Sequence, residues 1–507
     1  MAPSIPNPFR GLILYVGLAL ARAGLIDAER SRRTTDLAWP RIVTGIARMS
    51  KNAVDVAMVG IAVGPAAIAG VGFAGPFWGL AFALGGGVAG GTIALVSQRY
   101  GAEAYDQLGQ AVRSSALLTV LVTTPLAAVC FLFPEALIGI ITDTPATIEQ
   151  GSMYLRLVAF GIPFAALNLI GSRTFVGMDD AWTPMVIRAG GAVANIVINA
   201  VLIFGVGLGV QGAAIGTVLA NVLVTAAFAV GLVAGGLPGS VSFPVAVDPL
   251  GTYVDAGTIR DLVEIGLPVV GTSLVWTLAE IPMLAIAALF GADVEAAYVI
   301  ARRIWGLMNV PGWGFSLASS SLVGQELGAD DEGLAERYGR EIIRFSVAVY
   351  LLSALLVFVL AGPIVSGFLD DPDGSTLAIA ETLVRAACVA VVFQGVSGGA
   401  AGPLNAAGDT RWPFYSQAVG MFGFAIPIAY AGARPIRIPE VGIGAIDALP
   451  LVGVELIDLT VLGVAALYVS FVAETSIPAS INYYRFSTGK WKAISEQYRP
   501  DAAPSDD

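Results

Sequence analysis

Long apolar runs, broken by short polar stretches, set the pattern of this chain. Runs near the roughly 20-residue length that crosses a bilayer as a helix fall at 42–63, 71–97, 114–138, 153–176, 187–206, 212–235, 263–290, 295–323, 345–368, 379–404, 413–432 and 455–481. They predict twelve transmembrane helices and an all-α polytopic membrane protein. The polar stretch 236–262 splits the series into two sets of six. It divides the chain into an N-terminal cytoplasmic or interfacial segment (1–39), an N-terminal lobe (40–236), a cytoplasmic linker (237–262), a C-terminal lobe (263–484) and a cytoplasmic tail (485–507). The end of that tail, after Tyr498, reads as disorder.

The two sets resemble each other. Aligned without gaps at an offset of 227 residues, 64–102 lies on 291–329. Identities fall at Gly64/Gly291, at Trp78-Gly79-Leu80/Trp305-Gly306-Leu307, at Gly87/Gly314, at Leu95-Val96/Leu322-Val323, at Gln98/Gln325 and at Gly101-Ala102/Gly328-Ala329. Internal duplication within an apolar chain points to a secondary transporter whose substrate path runs between two pseudo-symmetric six-helix bundles. An even number of helices per half puts both repeats the same way up, with the pseudo-axis along the membrane normal.

Basic residues orient the helices. Arg30, Arg32, Arg33 and Arg41 precede the first run, and Arg99, Arg113, Arg173, Arg188, Arg260, Arg337, Arg340, Arg344, Arg411, Arg485, Lys490 and Lys492 fall on the same side if there are twelve crossings. The positive-inside rule then places both termini in the cytoplasm of a multi-pass plasma-membrane protein. Arg434 and Arg437 disagree with that scheme near the last two spans. The segment 11–26 is apolar, short and followed by basic residues, and reads as an interfacial helix, with a signal peptide as the alternative.

Composition changes the picture in two ways. With 56% hydrophobic and 13% charged residues and a mean hydropathy of +0.78, the chain is too apolar for a soluble domain. Its net charge of −11, with lysine only at 51, 490 and 492, fits a surface hydrated in very high salt, where the Debye length shrinks to about 3 Å. A halophilic archaeon is the expected source, and acidic loops in a GC-rich bacterium are the alternative. Cys130 and Cys388 lie in separate apolar runs, so neither a disulfide nor a metal cluster is expected. Sparse basic residues at helix ends give no nucleic-acid signature.

Six segments carry a recognisable order: "NAVDVAMVGIAVGPAAIAGVG" (52–72), "GTIALVSQRYGA" (91–102), "GMDDAWTPM" (177–185), "GAAIGTVLANV" (212–222), "SSSLVGQELGA" (319–329) and "NAAGDTRWPF" (405–414). Together they resemble the multidrug and toxic compound extrusion (MATE) family over about 40–491. The resemblance implies a V-shaped cleft between two six-helix bundles. It also implies export of organic, often cationic compounds in exchange for inward Na⁺ or H⁺, with no cofactor beyond that ion, by a monomer in the lipid bilayer.

Polar residues inside the apolar runs are the candidate chemistry. A carboxylate at membrane depth costs about 2.5–3.5 kcal/mol or more, so Asp55 should face the bundle interior or a wet cavity and act on an ion. Pairing with Lys51 is the structural alternative. Asn195 and Asn199 are one turn apart on one helical face and offer the neutral amide oxygens that suit Na⁺; an interhelical hydrogen bond is their alternative role. The resemblance implies an N-lobe cation site of Asp55, Asn195, Asn199, Thr217 and the carbonyl of Ala213. The family pattern has Asp or Asn at the position of Asn199, so this chain carries one carboxylate there. Glu280 is a possible second acidic site, or a partner of Arg302 or Arg303. The tenth run lacks the Asp that some branches of the family place there. No histidine is present, so a proton relay would run through carboxylates alone. That absence and a salty exterior favour Na⁺, while a buried Asp could also serve H⁺.

Pro163, Pro268, Pro282, Pro311, Pro403 and Pro427 lie in or near the runs and allow bends. "GGGVAGG" (85–91) and "GVSGGAAG" (395–402) are small-residue packing faces. A lipid-linked saccharide flippase of the same two-bundle plan is the competing reading. It would want a cationic cavity for pyrophosphate, and the mid-span regions hold almost no arginine. An ion channel or a purely structural membrane protein fits the repeat with its buried acids less well, and an enzyme fits less well still, since no nucleophile and base pair or metal-ligand cluster appears.

Overall fold

The computed structural model describes residues 8–235, 246–369, 374–437, 455–457 and 459–500. In the first half run α1 (Pro8–Arg22), α2 (Ala28–Ala62), α3 (Pro65–Phe73), α4 (Gly75–Gly101), α5 (Tyr105–Leu132), α6 (Pro134–Gly139), α7 (Pro145–Val158), α8 (Ile162–Gly177), α9 (Trp182–Ala200) and α10 (Gly209–Ala234). In the second run α11 (Ala256–Leu289), α12 (Ala292–Met308), α13 (Val310–Gly328), α14 (Glu332–Val359), α15 (Ala361–Ser366), α16 (Ser375–Ala406), α17 (Arg411–Ala418), α18 (Ile426–Ala433), α19 (Ala465–Ser487) and α20 (Lys490–Ser495). Helices that follow one another almost without a break, such as α3 and α4 or α12 and α13, merge into twelve membrane-length segments among the described residues. Eight are long and apolar enough to cross a membrane by length and composition. The protein is an all-α polytopic membrane protein; β1 (Ile436–Arg437) and β2 (Glu455–Ile457) form one short antiparallel pair.

The repeat is visible in the backbone. Gly64 (φ +111°) and its repeat mate Gly291 (φ +106°) both sit in the left-handed region, as do Glu103 (φ +57°) and its mate Asp330 (φ +59°). Asp179 (φ +67°) and Gly408 (φ +80°) are related the same way at a slightly longer offset. Non-glycine residues adopt this region reluctantly, so their recurrence marks the same turn built twice.

The halves touch where those turns are. A Cβ on Gly101 would lie 1.9 Å from the Gln325 carbonyl oxygen, and one on Gly328 would lie 1.9 Å from that of Gln98. Two glycines related by the repeat thus let α4 and α13 cross backbone to backbone. Gln98 donates to the Ala406 carbonyl (2.7 Å) and Gln325 to that of Gly177 (3.2 Å), a matching exchange across the pseudo-axis. Arg33 adds bonds to Tyr338 (2.9 Å) and Gln325 (3.1 Å) and an ion pair with Asp179 (3.3 Å). An apolar cluster that mixes Leu37, Val176 and Met185 with Phe315, Leu322 and Leu404 covers this sealed end. Close approaches between the halves also join Gly87 with Gly266, Gly91 with Leu262 and Gly314 with Ala38.

Several boundaries differ from the sequence reading. The first membrane-length helix, α2, starts at Ala28, because Asp27 caps it by accepting from the backbone N–H groups of Glu29 and Arg30 at 3.0 Å; Pro40 is carried inside it. Asp255 caps α11 through the Thr258 N–H at 2.7 Å, so that helix begins inside the presumed linker, whose residues 236–245 lie outside the described part. The last long helix is Ala465–Ser487, and Gly463 (φ +49°) precedes it. Pro163, Pro311 and Pro427 occupy first turns of α8, α13 and α18, where the missing N–H costs little. Pro268, Pro282 and Pro403 lie within helices. Arg499 is held by Asp330 and by Glu332 (3.0 Å), so the ordered chain passes Tyr498; 501–507 lie outside the described residues. The segment read as interfacial is α1, which buries Ile13 and Gly17 and exposes Phe9, Leu12 and Tyr15.

Candidate functional site

In the N-terminal half, α2, α9 and α10 bring four of the sequence-selected side chains together. Asn199 donates to Asp55 Oδ1 (2.8 Å) and to Asn195 Oδ1 (3.3 Å), and Asn195 donates to Thr217 Oγ1 (3.4 Å). Asn195, Asn199 and Thr217 are buried, at 1%, 0% and 5% exposure. The side-chain oxygen of Asn199 is sealed from solvent and accepts no hydrogen bond. A buried acceptor without a donor is costly, and beside a carboxylate it is a natural ligand for a hard cation. Ala213 lies one turn before Thr217 and packs with Met58, Val59 and Val210. Asp55 also receives the Lys51 ammonium at 2.7 Å, so a cation tethered to the chain already sits on the carboxylate.

Two further residues shape this site. A Cβ on Gly216 would come 1.9 Å from Asn199 Oδ1, so only glycine leaves room for that amide; its place beside Thr217 was the available signal. Tyr154 on α7 places its hydroxyl beside Thr217 and lies within reach of the Asp55 charge, which sequence spacing did not show. The helix winds into a π turn at Val201–Gly205, just after Asn199. A second π turn, Val419–Ala425, lies in the corresponding fifth helix of the other half; such turns are frequent at functional sites.

The C-terminal half is organised differently. Glu280 is exposed, and neither Arg302 nor Arg303 forms an ion pair with it among the described residues. Arg302 instead pairs with Glu474 at 2.5 Å and packs its guanidinium over Trp305 (4.8 Å), Phe471 (5.4 Å) and Trp276 (5.9 Å). Glu280 is near enough for its charge to act on Arg302 and Tyr298. Glu474 was not singled out from the sequence although it is a carboxylate within the apolar run 455–481; its pairing with Arg302, 172 residues away, needed the fold. Its side chain is 1% exposed, and Glu474→Gln is expected to strip Arg302 of its counter-charge and destabilise the protein by about 3–5 kcal/mol, read as a lower unfolding temperature in detergent.

A third cluster lies in the N-terminal half, where Arg41 and Arg48 meet Trp313 of the other half. Arg41 and Arg48 of α2, Arg173 of α8 and Arg188 of α9 stand close enough that Arg41 feels the charges of the other three and Arg188 those of Arg173 and Arg48. Spacing alone assigned Arg41, Arg173 and Arg188 to the membrane edge and left the mid-span regions nearly free of arginine. In the folded chain, α2, α8 and α9 gather these residues with Arg48 inside the structure, each keeping intermediate exposure. Arginine at membrane depth costs about 2.5–3.5 kcal/mol or more apiece unless water or a partner reaches it, so four arginines gathered here call for water or an anionic partner.

Fold and sites define a polytopic helical membrane protein of two repeats with buried charge in each. The MatE family profile matches residues 40–201 and 268–431, more than half of the chain, and the chain belongs to this family of transporters. It is similar to the multidrug resistance protein PmpM of Pseudomonas aeruginosa, with 28% identity over 427 residues, 82% of this chain and 86% of that protein. It is also similar to the probable multidrug resistance protein YoeA of Bacillus subtilis, with 22% identity over 408 residues, 80% of this chain and 87% of that one. Among solved structures, a MOP superfamily transporter from Pyrococcus furiosus Vc1, described as having a binding pocket of reverse polarity, superposes with a TM-score of 0.78 at 19% identity. The superposition covers 92% of this chain and 97% of that one, a likeness of fold alone.

Proposed function

We propose that the protein is a secondary active antiporter that exports organic compounds in exchange for inward Na⁺ or H⁺, by alternating access of two six-helix lobes (40–236 and 263–484), as a monomer in the plasma membrane. The observation that carries this reading is the chain Asp55–Asn199–Asn195–Thr217, with its orphaned amide oxygen, in the core of one lobe of a two-repeat transporter fold. The sealed end bears Arg33, Arg99 and Arg485, which the positive-inside rule assigns to the cytoplasm together with both termini. Lys51 occupies Asp55 in this conformation, so the coupling ion enters by displacing the ammonium. Neutral amide and hydroxyl oxygens around a single carboxylate favour Na⁺.

Transport into everted vesicles under separately imposed Na⁺ and proton gradients tests the reading, with one fluorescent organic cation and one fluorescent organic anion as probes. A gradient of one ion should drive accumulation of at least one probe; accumulation that ignores both gradients would overturn the antiport. Glu280→Gln should lower the driven rate less than Asp55→Asn does, because among the described residues the amide and hydroxyl ligands are assembled around Asp55. Equal losses would give the C-terminal lobe a share in coupling.

A further inference from the structure

We infer that the cleft between the lobes takes an organic anion, a carboxylate- or phosphate-bearing compound with an aromatic or apolar body, as the exported substrate. The inference rests on the transporter reading above and adds the charge of its cargo. Arg41 lies within reach of the charges of Arg48, Arg173 and Arg188, and Arg188 within reach of those of Arg48 and Arg173; none of the four forms an ion pair among the described residues. Their guanidinium nitrogens are not among the sealed, unpartnered atoms, and all four side chains keep intermediate exposure. Arg41 and Arg48 both lie over the Trp313 ring of the opposite lobe, 5.5 Å from its centroid, and Arg48 is 5.9 Å from that of Phe82. Arg41, Arg48 and Asp55 recur every seven residues and share one face of α2, with Lys51 one turn before Asp55. The stripe is cationic from Arg41 to Lys51, and the one carboxylate at its far end is already neutralised.

Four like charges held together with no carboxylate attract an anion and repel a cation. Planar guanidinium forks match carboxylate and phosphate oxygens two by two, and Trp313 and Phe82 supply a face for an aromatic body. The exchange then has an electrical consequence. Outward movement of an anion and inward movement of Na⁺ or H⁺ both carry positive charge inward, so an interior-negative membrane potential drives the cycle. Exchange of one monovalent cation for another would be electrically silent.

The same anionic chemistry is found on soluble compounds and on lipid headgroups, and three probes separate them. Everted vesicles loaded with Na⁺ would be offered carboxyfluorescein, ethidium or a fluorescent polyprenyl pyrophosphate built into the membrane. The intact protein should accumulate carboxyfluorescein faster under an imposed potential, and Arg173→Gln with Arg188→Gln should cut that rate about tenfold or more by removing two fork donors. Pyrophosphate should raise the melting temperature of the intact protein above that in NaCl of equal Na⁺ and ionic strength, and not that of the double variant. Without ligand the variant should melt no lower, since it loses mutual repulsion and no ion pair. Ethidium moving in place of carboxyfluorescein, at a rate the arginine variant leaves unchanged, would overturn the anion and leave the antiporter standing. Movement of the pyrophosphate lipid alone, still dependent on the arginines, would keep the anion site and overturn gradient-driven export. No movement of any probe and no pyrophosphate shift would overturn both.

Discussion

Asp55→Asn is expected to abolish coupled export and leave the protein folded. Asparagine keeps the shape and can still exchange a hydrogen bond with Asn199, but it brings no charge to balance an ion. The remaining ligands are neutral oxygens, and the driven rate should fall by about a hundredfold or more. Lys51 loses its partner in the variant. With 20% of its side chain exposed, the ammonium is not sealed in, so the folding cost should stay below the roughly 3–5 kcal/mol of a sealed broken pair. Gradient-driven transport together with the melting temperature in detergent separates the two effects. A variant that transports uphill at the intact rate would remove Asp55 from the coupling site.

Gly101→Ala and Gly328→Ala should each open the sealed end. The atom a new methyl group would meet is a backbone carbonyl at 1.9 Å, which no rotamer change can move away. Overpacking of this kind costs about 1–3 kcal/mol or more, and α4 and α13 must separate to relieve it. The two contacts are images of each other under the repeat, so the two substitutions should act by similar amounts. Ser97 is fully buried beside Gly324. Ser97→Cys, in a chain whose Cys130 and Cys388 are replaced, should react with a water-soluble maleimide in either glycine variant and stay protected without them. Equal protection in all three chains would mean that the crossing does not hold that end shut.

The twelve helices and the repeat were legible because span length and internal identity are local properties of a sequence. Helix ends were less so. The charged stretch 28–37 falls in the segment read as cytoplasmic or interfacial, yet Asp27 caps it and it runs straight into the first span. The last span was placed ten residues early because 459–464 is apolar without being part of the long helix, which starts at Ala465. For the N-lobe site, a carboxylate in an apolar run and two amides one turn apart were visible, and the structure brings them within hydrogen-bond reach. Lys51 was legible as a partner from its spacing of four. Tyr154, the Glu474 and Arg302 pair and the arginine cluster needed the fold, since each joins helices far apart in sequence. Arg41 and Arg48 share a face by their spacing alone, but no spacing shows that Arg173 and Arg188 come from two other helices to meet them.

Whether Asp55 binds the coupling ion is tested most directly by the rate at which carbodiimide modifies it at about pH 7, followed by mass spectrometry of the detergent-solubilised protein. Na⁺ should slow the reaction by occupying the carboxylate in place of Lys51, and should raise the melting temperature by mass action. Equimolar K⁺ should do neither, and Asn199→Ala should weaken both effects of Na⁺ by removing one ligand. A response to pH alone would hand the coupling to H⁺ at the same residue. A rate that is the same in Na⁺ and K⁺ and does not change with pH would contradict a coupling site at Asp55.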